Sequence, residues 1–134
     1  EYHGEFVDFD PATCSPRPVH GSIPILVGGD TPAAIRRAAR MADGYFPGST
    51  DSEVLARLIQ EMRVAAEAQD RDPDSIAIHS IFAHQIADPK AGVEEFAKLG
   101  VDRVMVPAFF FAGPDGLDRL AAFGEDVIKP HTES

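Results

Sequence analysis

The residues best suited to chemistry are Gly28-Gly-Asp-Thr31, directly after the apolar run Pro24-Ile-Leu-Val27. Paired glycines let a backbone approach a ligand closely, and free amides at a helix start suit a phosphate. Thr31 adds a hydroxyl. The same residues also fit a tight strand-to-helix turn, with Thr31 as N-cap and Pro32 at the first helical position. His79, in Ile76-Ala-Ile-His-Ser-Ile81, could reach substrate if it faces inward near the end of a strand. Its alternative is a buried, hydrogen-bonded structural role, and His84 poses the same choice. Ser49 is a further substrate or phosphate contact, whereas capping of the next helix accounts for Thr50. Arg36, Arg37 and Arg40 either offset a polyanionic cofactor tail or form an exposed helix face. Phe109, Phe110 and Phe111 could wall an apolar pocket, cover a subunit contact or pack within a loop. Cys14 has no activating neighbours in sequence, and no His/Asp/Glu spacing suggests a metal site.

Four strand–helix units must position these residues. Residues 1–23 read as an extended lead-in, since Pro11, Pro16 and Pro18 rule out a helix. Residues 24–27 form a short apolar strand of the kind buried on both faces. A helix follows to about Ala42, with Ile35, Ala38, Ala39 and Ala42 on its packing face. Asp43-Gly44 makes a tight return into a strand at 44–47. Thr50 and Glu53 have capping-box spacing, which starts the second helix near Asp51. Its apolar face is Val54, Leu55, Leu58, Ile59, Met62 and Ala65, as far as about Gln69. A third strand covers 76–82, and Asp88 and Pro89 start a helix burying Val93, Phe96, Ala97 and Leu99. Gly100 closes that helix. The fourth strand covers 102–106, and Leu117, Leu120, Ala121, Val127 and Ile128 mark the last helix.

This alternation over 24–134 predicts an α/β fold with a parallel sheet and helices outside. Four units make either a small open sheet or half of an eight-unit barrel, which has about 250 residues. A half barrel leaves two parallel edges open, to be covered by another half or another chain. The 134 residues carry 22 acidic and 12 basic side chains, a formal charge of −10. That balance argues against nucleic-acid binding, which needs clustered Lys and Arg. No apolar stretch approaches the roughly 18 residues of a membrane helix, and the acidic start is unlike a secretory signal. One cysteine excludes an internal disulfide and a multi-cysteine metal site. A cytoplasmic location is the expectation. The chain also begins without Met, as a piece of a longer protein would.

The stretch Pro24-Ile-Leu-Val-Gly-Gly-Asp-Thr-Pro-Ala-Ala-Ile-Arg-Arg-Ala-Ala-Arg-Met-Ala-Asp-Gly-Tyr-Phe46 resembles the luciferase-like monooxygenase family. Tyr2-His-Gly-Glu-Phe6 with Pro11, Pro16 and Pro18 is similar to the family's extended insertion, and Gly100-Val-Asp-Arg-Val104 to its final strand. The likeness is strongest for the branch using the deazaflavin coenzyme F420, and an FMN-dependent relative would look much the same. The resemblance implies the C-terminal half of a TIM (β/α)8 barrel. It also implies hydride transfer between the deazaflavin and a small organic substrate. Cofactor-phosphate contacts then fall on Gly28, Gly29, Asp30, Thr31, Ala33 and Ala34, and no catalytic residue carries over. Beside a phosphate, the Asp30 carboxylate must turn outward and leave only its amide. The implied partners are the N-terminal half-barrel or a second copy, in a homo-oligomer. A truncated half-barrel acting only as an associating module is the non-enzymatic alternative.

Overall fold

The computed structural model describes residues 1–13 and 15–132, with only the backbone of His84, so Cys14 and the His84 side chain lie outside the described residues. The chain opens on a small antiparallel hairpin, β1 (Tyr2–His3) with β2 (Asp8–Phe9), inside the otherwise extended lead-in. There follow β3 (Leu26–Gly28), α1 (Pro32–Met41), β4 (Gly44–Phe46) and α2 (Ser52–Glu67). The remainder is β5 (Ala77–Ile81), α3 (Pro89–Lys98), β6 (Arg103–Met105) and α4 (Gly116–Phe123). The sheet runs β3-β4-β5-β6, and every neighbouring pair is parallel. Strand and helix thus alternate four times, as the apolar pattern predicts.

Two aspartates clasp these strands in register. Asp43 donates its N–H to Ile25 O at 2.9 Å, and its carboxylate accepts the Ile25 N–H at 2.8 Å. Asp102 repeats the exchange with Ile78, at 2.9 and 2.7 Å. Each aspartate stands immediately before a strand and grips the strand preceding it, so the expected tight return at Asp43-Gly44 is also a strand clasp. With register fixed, Val27, Tyr45 and Ile78 align on one face of the sheet. That face packs against Ile35, Ala38 and Ala39 of α1, Leu55, Leu58, Ile59 and Met62 of α2, and Phe96 of α3. Each large apolar side chain so buried contributes about 1.5–3 kcal/mol.

The carbonyls at the C-terminal end of α1 have their own partner. Arg71, in the loop after α2, donates to Ala38 O and Ala39 O at 3.4 and 3.2 Å and to Ala42 O. A guanidinium there answers both the unpaired carbonyls and the negative end of the helix dipole.

The structure corrects several sequence expectations. The second helix is capped by Asp51 rather than Thr50, and its carboxylate accepts Glu53 N–H and Val54 N–H at 3.1 and 3.0 Å. Aspartate caps at least as well as threonine. That helix ends at Glu67, not Gln69, and buries Ala66 more deeply than Ala65. The strand expected at 24–27 runs from Leu26 to Gly28, with Ile25 just before it in the exchange with Asp43. It is not buried on both faces: Leu26 is exposed, since the sheet face opposite the helices is bare. Ala97 is exposed, while Gly92 takes the buried place beside Phe96. The last helix departs furthest. It breaks at Phe123 into a π-helical turn, Gly124–Ile128, and only Val127 of its five predicted apolar positions is buried. Leu117 is 81% exposed, because α4 flanks the edge strand and has no further unit beside it.

Replacing Arg71 with Met should lower stability by about 1–2 kcal/mol, the scale of charge-assisted bonds to helix carbonyls. Urea unfolding of the two proteins measures this. The bare sheet face and the exposed α4 surface should also drive the isolated chain to self-associate. Sedimentation showing only monomer at micromolar concentration, with a cooperative melt, would contradict that expectation.

Candidate functional site

The turn from β3 into α1 lies at the C-terminal end of the sheet. Gly29 there has φ +113°, in the region that disfavours residues bearing a Cβ. Its N–H donates to Phe46 O at 3.2 Å, and its carbonyl accepts the Tyr45 hydroxyl at 3.0 Å. Both bonds tie the turn to β4. Gly28 differs, because a Cβ built there would meet only Phe46 O, at 3.4 Å. Side-chain room is therefore open at Gly28 and conformationally barred at Gly29.

The first turn of α1 has few free donors. Pro32 has no N–H, Thr31 Oγ1 accepts Ala34 N–H at 3.2 Å, and Thr31 O accepts Ile35 N–H at 3.0 Å. The amides of Asp30, Thr31 and Ala33 make no bond among the described residues. No acidic residue stands in that first turn. The Asp30 carboxylate turns to the loop after β4 and accepts Gly48 N–H at 2.6 Å. An anion arriving at the turn thus meets three uncommitted amides, beside a carboxylate pinned to Gly48.

The predicted residues divide into two sets. Gly28, Gly29, Asp30, Thr31 and Ala33 gather at the turn, while the Ala34 amide is already taken by Thr31. Ser49 sits next to Gly48 on the loop that Asp30 grips, and its Oγ accepts Asp51 N–H at 3.2 Å. His79 is not part of this cluster. It lies in β5, two strands from β3, opposite Arg103 and partly exposed. Burial first, and then the Arg103 charge, holds its pKa below the ordinary histidine value, with Asp102 opposing. Arg36, Arg37 and Arg40 are exposed and line a groove of about 540 Å³ with Ala33, Ala65 and Gln69. Phe109 and Phe110 pack ring to ring at 4.5 Å, while Phe111 meets Phe123 at 5.6 Å. Phe111 is therefore loop packing, and Phe109 remains 70% exposed.

Two contributors were not singled out in the sequence, Tyr45 inside the motif and Gly48 beyond it. Tyr45 was legible only as the aromatic of Asp-Gly-aromatic, and nothing local says that its hydroxyl spans to Gly29. Among the described residues no cluster of three or more His, Cys, Asp or Glu could hold a metal ion, and no helix is long and apolar enough to cross a membrane.

Comparison with known proteins places this geometry in context. Residues 1–125 match the family model described as luciferase-like monooxygenase. An uncharacterized protein of Mycobacterium tuberculosis is 37% identical over 137 residues, covering 96% of this chain and 46% of the relative. A second uncharacterized protein of that organism is 34% identical over 128 residues, covering 92% of this chain and 41% of the relative. The chain thus spans less than half the length of these relatives. Among solved structures, the coenzyme F420 dependent tetrahydromethanopterin reductase from Methanopyrus kandleri superposes with a TM-score of 0.71 at 20% identity. That match covers 98% of this chain and 57% of the reductase, and at such identity it bears on fold alone. The four units correspond to about half of that fold.

Tyr45 gives the site a measurable signature. It is fully buried, and burial, then the charges of Asp30 and Glu61, raise its pKa from 10.0 to about 12, with Arg57 opposing. A raised pKa in the folded state means stability is intact below pH 10 and falls as pH rises from 10 toward about 12. Tyr45→Phe should abolish that alkaline slope and cost about 1 kcal/mol at neutral pH through the lost bond to Gly29. Unfolding free energies of both proteins across this pH range check the two effects together.

Proposed function

The chain belongs to the luciferase-like monooxygenase family, and we propose that it forms the cofactor-phosphate-binding half of a coenzyme F420-dependent oxidoreductase. Hydride would pass between the deazaflavin and a small organic substrate. One observation carries the reading: a glycine turn at the C-terminal end of β3, with a side-chain slot open at Gly28 and unbonded amides at Asp30, Thr31 and Ala33. Such a cradle fits a phosphate, because backbone donors at a helix start meet negative charge without a side chain in the way. When bound, the ring supplies the hydride chemistry.

The residues of this chain would bind and orient. Gly28 leaves space for the phosphate, Gly29 shapes the turn, and Tyr45 holds the Gly29 carbonyl at 3.0 Å. Thr31 fixes the helix start through Ala34. Asp30, by gripping Gly48, anchors the loop carrying Ser49 beside the turn, which makes Ser49 the nearer candidate for a substrate contact. His79 would take part as a neutral group on the bare sheet face, since its pKa is depressed. That face and the edges β3 and β6 await the rest of the barrel or a second copy.

The two glycines separate binding from folding. In the complete protein, Gly28→Val should weaken cofactor binding at least about tenfold, about 1.4 kcal/mol, with little change in melting temperature. Gly29→Val should instead lose stability, because φ of +113° strains a β-branched residue. Fluorescence titration with F420 and with FMN reads the affinity. Binding of FMN alone would move the protein to the flavin-using branch, and micromolar binding of neither would overturn the proposal.

A further inference from the structure

We infer that the part of the complete protein covering the bare sheet face brings a carboxylate to Arg103, so that this face is built for an acid-bearing other half and not for a second copy. The inference rests on the half-barrel reading above and concerns how that half is completed. Side chains alternate along a strand. Because Val27, Tyr45, Ile78 and Val104 pack with the helices, Leu26, Phe46, His79, Ile81, Arg103 and Met105 fall on the other face. The remaining strand positions there are Gly or Ala, so no strand residue on that face is acidic. Arg103 is exposed and makes no ion pair among the described residues, although Arg57 and Arg63 each hold a carboxylate at 2.7 Å. The adjacent Asp102 directs Oδ2 to the Ile78 N–H at 2.7 Å.

In a closed barrel this face looks inward, into a packed core. A cation withdrawn from water needs an opposite charge beside it. His79, the register partner of Arg103, adds positive charge or none. A bound ligand does not serve, because Arg103 is the first residue of β6 and barrel ligands bind at the other, C-terminal end of the strands. A ligand also arrives only after the barrel has formed. A second copy does not serve either. It would present the same face and set another Arg103 and His79 into the same interior, with no carboxylate between them. The exposed Leu26 and Met105 can still draw isolated copies together, but that contact leaves each Arg103 unpaired. The surface that fits is apolar around Leu26, Ile81 and Met105 and carries one Asp or Glu toward Arg103.

A crystal structure of the complete protein tests the inference directly. The expected result is an Asp or Glu from outside residues 1–134 with an oxygen within about 4 Å of the Arg103 guanidinium. Arg103→Met should lower the melting temperature of the complete protein by about 10 °C, the scale of a broken buried ion pair. Neutralising the partner acid in the same protein should restore most of that loss, because no buried charge is then left alone. If Arg103→Met does not fold, the doubly neutralised protein should, and its failure to fold would count against the pair. A guanidinium paired within residues 1–134, left in water or facing a second copy would overturn the assignment. So would an unchanged melting temperature in Arg103→Met, or a double variant no more stable than the single one. No cofactor enters these measurements, so their failure is read separately from a failure to bind F420.

Discussion

The reciprocal exchange between an aspartate and the strand before it, Asp43 with Ile25 and Asp102 with Ile78, fixes the frame for everything else. In a parallel sheet a slip of one residue would turn every side chain to the other face. With the clasp in place, Tyr45 falls on the helix face, where its hydroxyl meets Gly29 O. His79 and Arg103 fall together on the opposite face. The two-residue vocabulary at these positions, Asp-Gly and Asp-Arg, hides how much backbone geometry a single carboxylate controls. Both clasps sit at the N-terminal end of the sheet, so they leave the opposite end free for loops.

At that opposite end two environments of contrasting charge arise from the same device, a helix beginning after a strand. The start of α1 has a hydroxyl cap, a proline and no acid in its first turn, so its unbonded amides remain attractive to an anion. The starts of α2 and α3 carry aspartate caps, whose carboxylates together with Glu53 and Glu95 make that region acidic. The choice of Thr or Asp at one capping position thus sets the charge that the end of a helix presents. Asp30 sharpens the contrast by directing its carboxylate to Gly48.

Much of the fold was legible in local sequence because its signals are local. Thr31 with Pro32 and Asp88 with Pro89 cap helices as their chemistry dictates, and Gly100 adopts φ +77° after α3. The spacing of Leu55, Leu58, Ile59 and Met62 gave the buried stripe of α2. What could not be read depended on partners distant in sequence. The capping choice between Thr50 and Asp51 turns on a one-residue offset that two good capping residues leave open. Arg71 reaches carbonyls about thirty residues upstream, and Tyr45 reaches Gly29 across the sheet. The last helix looked like a core element because its apolar residues recur at helical spacing. Recurrence reports an amphipathic face and cannot say whether a surface exists to cover it. For the site, the glycine turn was visible as a motif, but the commitment of each amide was not.

Arg71 adds a further tie between two units already joined by strand pairing, since it belongs to the loop after α2 and holds the end of α1. Together with the Asp43 clasp, it makes the first two strand–helix units one cooperative block. Opening of α1 then also breaks the Arg71 bonds, whereas α4 is held through the rings of Phe123 with Phe82 and Phe111. During synthesis the block emerges from the ribosome before the fourth unit is made. Within this segment the two interlocked units thus precede the more loosely held α4 in chain order.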